Sequence, residues 1–163
     1  MSRYRPPAAH KSPYITPAGK RRLLSEQKAL WLRRREVVAA LSAAAAEGDR
    51  SENAEYIYRK KELREIDGRI RYLQKRLPDL NVVEQKPASS GQVFFGATVT
   101  LEDEAGATVE YRIVGPDEFD HAEHYISVDS PLARSLLKRE PGDQVEVDVP
   151  QGRLVFTIVN IAY

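Results

Sequence analysis

The stretch Gly48–Leu77, GDRSENAEYIYRKKELREIDGRIRYLQKRL, decides how this chain folds. Within it Tyr56, Leu63, Ile70 and Leu77 step by seven, and Ile66, Leu73 and the following Leu80 make a second series with the same step. Two interleaved seven-residue series are the a and d positions of a coiled coil. Gly48 can take the left-handed conformation that commonly ends a helix, so the stretch reads as a turn followed by one long helix.

Upstream of Gly48 the same step returns in Leu23, Leu30, Val37 and Ala44, with Leu41 three residues before Ala44. Thr16 can cap a helix, Pro17 suits its first turn, and no further proline occurs until Pro78. The run Ala43–Ala46 favours helix and lets a second helix approach closely. Two helices of about 30 and 25 residues joined by a short turn must run antiparallel, giving a rod ~40 Å long. Gln27, Arg34 and Arg59 stand where apolar residues would complete the pattern, so the seam is expected to be narrow.

Downstream the period changes. Residues 84–91 contain Lys86-Pro87 and Ser89-Ser90-Gly91, a connector composition. Beyond it Val93–Leu101, Thr108–Val114, Tyr125–Val128, Gln144–Val149 and Leu154–Ile161 are short, β-rich and separated by turn residues. One helix is expected among them, with Ser130 as cap, Pro131 in the first turn, and Leu132, Leu136 and Leu137 on its apolar face. The fold class is therefore α+β: an N-terminal antiparallel coiled-coil hairpin and a small, mostly antiparallel β domain with one short helix. The expected division is a mobile tail at 1–13, the hairpin at 14–83 with its tip near 48–53, a linker at 84–91 and the β domain at 92–163.

Composition narrows the class of function. There is no cysteine, hence no disulfide or thiolate metal site. The longest apolar run is roughly five residues against the ~18 of a spanning helix, and the N-terminus lacks a signal-peptide core, so no membrane association and a cytoplasmic location are expected. The formal net charge of +1 conceals two opposed halves: residues 1–87 hold 20 Lys+Arg and 11 Asp+Glu, net +9, whereas 88–163 hold 5 and 13, net −8. Only the first half suits a polyanion.

Two groups of residues could carry chemistry. At the tip, Asp49 and Glu52 are three apart, a spacing that also serves helix capping and suits the helix dipole. Capping is the commoner reason for such acids, but both readings can hold if Ser51 caps and leaves the carboxylates exposed. A rod tip has no cleft, so these acids would have to complete another protein's site. Hard carboxylate oxygens suit Mg²⁺, which keeps several waters and takes one or two carboxylates with phosphate oxygens. The second group is Arg59, Lys60, Lys61 and Arg64, within two turns of the tip and able to attract a phosphate backbone, although salt-linked coiled-coil flanks have a similar composition.

Tyr56 fits the heptad, leaving Tyr58 as the freer aromatic for stacking on a base. Trp31 reads as a packing residue against the seam or the second domain. His121 and His124 lack a third ligand, and neither a phosphate-binding glycine loop nor a serine nucleophile motif is present.

Together, GDRSENAEYIYRKKELREIDGRIRYLQKRL at 48–77, VFFGATV at 93–99, YRIVGPDE at 111–118 and YISVDSPLARSLL at 125–137 resemble the bacterial Gre transcript-cleavage factors of the GreB type, over roughly residues 13–163. The resemblance implies an FKBP-like C-terminal domain that docks at the rim of the RNA polymerase secondary channel, and a coiled coil that passes down the channel. Asp49 and Glu52 match the tip acids that help hold a Mg²⁺ ion in the polymerase active site and orient water, while Arg59–Arg64 match the region that engages the extruded nascent RNA 3′ end. The expected protein is then an accessory factor, not itself an enzyme, binding no cofactor alone and working as a monomer. An FKBP-like fold does not by itself carry prolyl isomerase activity, and none is expected. Rival readings are a channel occupant that inhibits polymerase without provoking cleavage, and a coiled-coil chaperone or scaffold whose acids merely cap a helix.

Overall fold

The computed structural model describes residues 9–48, 53–84, 86, 87 and 91–163. The chain divides into two compact units: Ala18–Leu80, and Asn81–Tyr163 together with the described residues that precede Ala18.

The first unit is a helical hairpin. Helix α1 spans Pro17–Ala46 and α2 spans Ala54–Arg76, with a single 3₁₀ turn at Leu77–Asp79. The seven-residue series supplies the seam: Val37, Ile66 and Ile70 are buried together, with Leu30 and Leu63 packed against them. Leu23, Ala44, Leu73, Leu77 and Leu80, all members of the expected series, are buried as well. At Arg34, where a polar residue interrupts the pattern, an ion pair replaces apolar contact. Arg34 Nε lies 2.7 Å from Asp67 Oδ1, and Arg69 forks onto Glu26 at 2.6 and 3.0 Å, each joining α1 to α2. The narrow seam is thus flanked by cross-helix charge pairs.

The second unit is a five-stranded sheet in the order β5-β4-β3-β7-β6. Its strands are β3 (Thr98–Glu102), β4 (Thr108–Val114), β5 (Tyr125–Ser127), β6 (Gln144–Val149) and β7 (Gly152–Ala162). Within this sheet the pairings are antiparallel except that of β4 with β5. Helix α3 (Pro131–Leu136) begins as expected, with Ser130 Oγ accepting the Ala133 N–H at 3.2 Å. Ala133 and Leu136 join Val99, Leu101, Val145 and Ile158 in one core, so α3 covers the apolar face of the sheet. A β-bulge between Thr100 and Leu101 shifts the register with β7.

Three expectations change. The strand expected at 93–101 starts only at Thr98, because Gly96 takes φ +87° and the Ala97 N–H closes a turn onto Phe94 O at 3.1 Å. The segment before α1 is not all tail. Residues 1–8 lie outside the described residues, but Ser12, within the tail expected at 1–13, donates its backbone N–H to Asp129 Oδ2 at 2.8 Å and its hydroxyl to Oδ1, while residues 14–15 and 81–82, expected within the hairpin, form β1 (Tyr14–Ile15) and β2 (Asn81–Val82), paired in parallel. The unit boundary therefore falls at Leu80/Asn81, ahead of the expected connector at 84–91, in which 85 and 88–90 lie outside the described residues.

Burial works to raise the Asp129 carboxyl, but the Ser12 side-chain and backbone bonds, aided by Arg134 and His10, hold it below the usual carboxylate range overall. Gly115 explains how closely this segment lies: a Cβ there would meet Tyr14 O at 2.1 Å. Among the described residues no helix is long and apolar enough to cross a membrane.

Candidate functional site at the hairpin tip

Helix α1 ends at Ala46, and Gly48 follows with φ +132°, a conformation that side chains rarely adopt. Asp49 and Glu52, the two tip acids, lie outside the described residues with Arg50 and Ser51. What the structure describes is the frame on either side of them.

On the far side the frame is Asn53. It sits in extended conformation as the N-cap of α2, its Oδ1 accepting the Tyr56 N–H at 3.2 Å. Its Nδ2 donates to Ala44 O at 2.9 Å, reaching back to the last turn of α1. Sequence reasoning weighed Asp49, Glu52 and Ser51 as caps and passed over Asn53, although asparagine is among the strongest N-cap residues. The signal was present in its residue type, but adjacent capping residues can be told apart only by backbone geometry.

Beyond the cap, α2 presents its cations unequally. The Arg59 guanidinium is engaged by Glu55 at 2.8 Å and Glu62 at 3.0 Å, and Glu62 also takes Arg33 of α1 at 2.7 Å. Hydrogen bonds to Glu55 and then to Glu62 raise the Arg59 pKa, while the bond to Arg33, helped by Arg59 and opposed by burial, lowers that of Glu62. Arg59 therefore belongs to a network that ties the helices together near the tip. Lys60, Lys61 and Arg64 are exposed, and Lys60 and Arg64, four apart, share a face. The Lys60 ammonium stands 5.9 Å from the centre of the Tyr56 ring.

The aromatic residues divide as the heptad implies. Tyr56 is half-buried, whereas Tyr58 is 61% exposed with the Arg59 guanidinium 5.5 Å from its ring centre. Ile57 beside it is also exposed. Trp31 is not enclosed in the seam: it is nearly half exposed and borders an open groove of about 360 Å³ with Arg34, Asp67, Ile70, Arg71 and Gln74. In the sheet unit the His121 and His124 rings lie 6.2 and 4.7 Å from the Tyr125 ring. Among the described residues no group of three or more His, Cys, Asp or Glu could hold a metal ion.

The chain is similar to known proteins along its whole length. Residues 13–82 match the family described as transcription elongation factor, N-terminal, and residues 88–163 match transcription elongation factor, GreA/GreB, C-term. The chain is 56% identical over 165 residues to the transcription elongation factor GreB of Xanthomonas axonopodis pv. citri, covering 100% of this chain and 98% of that protein. It is also 56% identical, over 164 residues and the same shares, to the GreB of Pseudomonas aeruginosa. Among solved structures, the GreA factor homolog Gfh1 of Thermus thermophilus is 26% identical over 94% of this chain and 100% of that one, with a TM-score of 0.43.

Proposed function

This chain belongs to the GreA/GreB family of transcription elongation factors, and we propose that it acts on RNA polymerase by stimulating cleavage of backtracked nascent RNA. In this reading the hairpin enters the polymerase secondary channel, the sheet unit docks at the channel rim, and Asp49 and Glu52 are delivered to the polymerase active site. The observation that carries it is the Asn53 cap, whose Oδ1 already takes the N-cap position and accepts one first-turn amide of α2, that of Tyr56. The commonest structural reason for acids just ahead of a helix is thereby supplied by another residue.

Two carboxylates three residues apart in sequence fit the donor chemistry of Mg²⁺, whose other positions would be filled by polymerase carboxylates, RNA phosphate oxygens and water. Such an ion, when shared with the polymerase, supplies charge stabilisation and an activated water for phosphodiester hydrolysis. This chain's own part is to present Asp49 and Glu52, and to keep positive charge from Lys60, Lys61 and Arg64 beside the extruded RNA. The acidic tip alone would repel that phosphate backbone; three exposed cations within three turns of α2 offset the repulsion. The factor is accessory, and the hydrolysis belongs to the polymerase.

The test is a stalled, backtracked elongation complex with end-labelled RNA, treated with wild type, Asp49→Ala or Glu52→Ala. Both variants should compete with wild type for polymerase yet leave the RNA uncut. Cleavage at the wild-type rate by either variant would remove that acid from the metal-holding role. If wild type itself only slows elongation, the inhibitory channel occupant is the correct reading.

A further inference from the structure

A single side chain closes the base of the tip. Ala44 O belongs to the last turn of α1, where it accepts the Glu47 N–H at 3.3 Å and has a second lone pair to offer, and the Tyr56 N–H belongs to the first turn of α2, where amides have no carbonyl behind them. Asn53 serves both, donating through Nδ2 to Ala44 O at 2.9 Å and accepting through Oδ1 from Tyr56 N at 3.2 Å. The partners also fix which way the amide points: reversed, it would set N–H against N–H and oxygen against oxygen. The eight residues 45–52 between these anchor points include both tip acids.

We propose that Asn53 is a positioning residue for transcript cleavage: by bridging α1 to α2 it holds together the ends of the segment bearing Asp49 and Glu52. This rests on the cleavage reading above and adds a residue to it. The chemistry singles out asparagine. Aspartate or serine would cap α2 about as well. Aspartate, however, has only acceptors, which would face the Ala44 carbonyl, and serine has one oxygen in place of two separated polar atoms. Capping alone therefore tolerates Asn53→Asp and Asn53→Ser, and bridging tolerates neither. A segment pinned at both ends has fewer conformations to lose when its carboxylates must meet a metal at fixed distances.

The full-length variants Asn53→Asp, Asn53→Ser and Asn53→Ala are compared by circular dichroism, by half-saturating concentration on backtracked polymerase, by cleavage rate at saturation, and by amide hydrogen exchange of the free factor. The Asp and Ser variants should keep wild-type helicity, half-saturation and protection of the Tyr56 amide. Their cleavage at saturation should fall about 10- to 100-fold, the usual cost of losing a residue that orients a metal ligand, and amides between Ala45 and Glu52 should exchange faster. Wild-type cleavage by Asn53→Asp or Asn53→Ser overturns the proposal and leaves Asn53 a cap. A defect confined to half-saturation also overturns it, since that would be a docking role. A wild-type factor that stimulates no cleavage overturns both readings, whereas active wild type beside equally active Asn53→Asp overturns only this one.

Discussion

The backbone N–H of Thr16 donates to Glu118 Oε2 at 3.0 Å across 102 residues of sequence, one position before α1 begins. The Thr16 hydroxyl takes the other carboxylate oxygen, and Gly115 donates its N–H to Oε2 at 2.8 Å. Glu118 is only 2% exposed, so these donors lose an acceptor that water cannot readily replace. Glu118→Ala should lower the stability of the sheet unit by about 1.5–3 kcal/mol, the range for hydrogen bonds to a charged group. Glu118→Gln, which keeps one acceptor oxygen, should lose less. Urea unfolding followed by circular dichroism measures both, and an unchanged midpoint for Glu118→Ala would show that the clasp contributes nothing.

What could be read without the structure follows from the length of each signal. The seam was legible because its seven-residue step persists over several turns, and it picked out Val37, Ile66, Ile70 and Leu73, all buried. Ser130 and Pro131 were legible because cap and first-turn proline are adjacent in sequence. The β1–β2 pair was not, since two residues on each side carry no alternation and their partners lie in distant segments. Val93, Phe94 and Phe95 have strand composition, yet Gly96 at φ +87° turns the chain before a strand can form. At the tip, composition offered four neighbouring residues able to cap, and only the Asn53 contacts with Tyr56 and Ala44 distinguish among them.

Glu62 makes the hairpin sensitive to acid. Its carboxyl is held below the ordinary glutamate range first by Arg33 and, against some burial, by Arg59. A depressed folded-state pKa means stabilisation present above the unfolded-state value and lost as pH falls through the folded one. The melting temperature of wild type should therefore exceed that of Glu62→Gln at neutral pH, with the gap closing as pH falls through and below the ordinary glutamate range. Subtracting the two melting curves cancels the other carboxylates. A gap that persists unchanged in acid would exclude this ion pair as its source.

Gly68 lies inside α2 on its exposed side, and a Cβ built there meets nothing within 4 Å. Nothing in its surroundings requires glycine. Gly68→Ala should stabilise the hairpin by up to about 1 kcal/mol, from the smaller backbone entropy of the unfolded chain. The measurement is the urea midpoint of helical ellipticity, and a lower midpoint would mean that a side chain at 68 is disfavoured within the folded chain itself.

The four cations that the sequence reading groups near the tip should not behave alike. Arg59 is committed to Glu55 and Glu62, whereas Lys61 and Arg64 stand exposed on α2. Each phosphate contact releases counterions, so removing one lowers the slope of log affinity against log salt by about one unit. Lys61→Gln and Arg64→Gln should each weaken half-saturation in the cleavage assay at about 50 mM salt and flatten its rise toward about 200 mM. Arg59→Gln should leave that slope unchanged and lower the melting temperature instead, because it breaks the link through Glu62 to Arg33. Equal salt slopes for wild type and the Lys61 and Arg64 variants would place these cations away from the phosphate backbone; a flattened slope for Arg59→Gln alone would reverse the assignment, since it would mean that Arg59 exchanges its carboxylates for phosphate when RNA arrives.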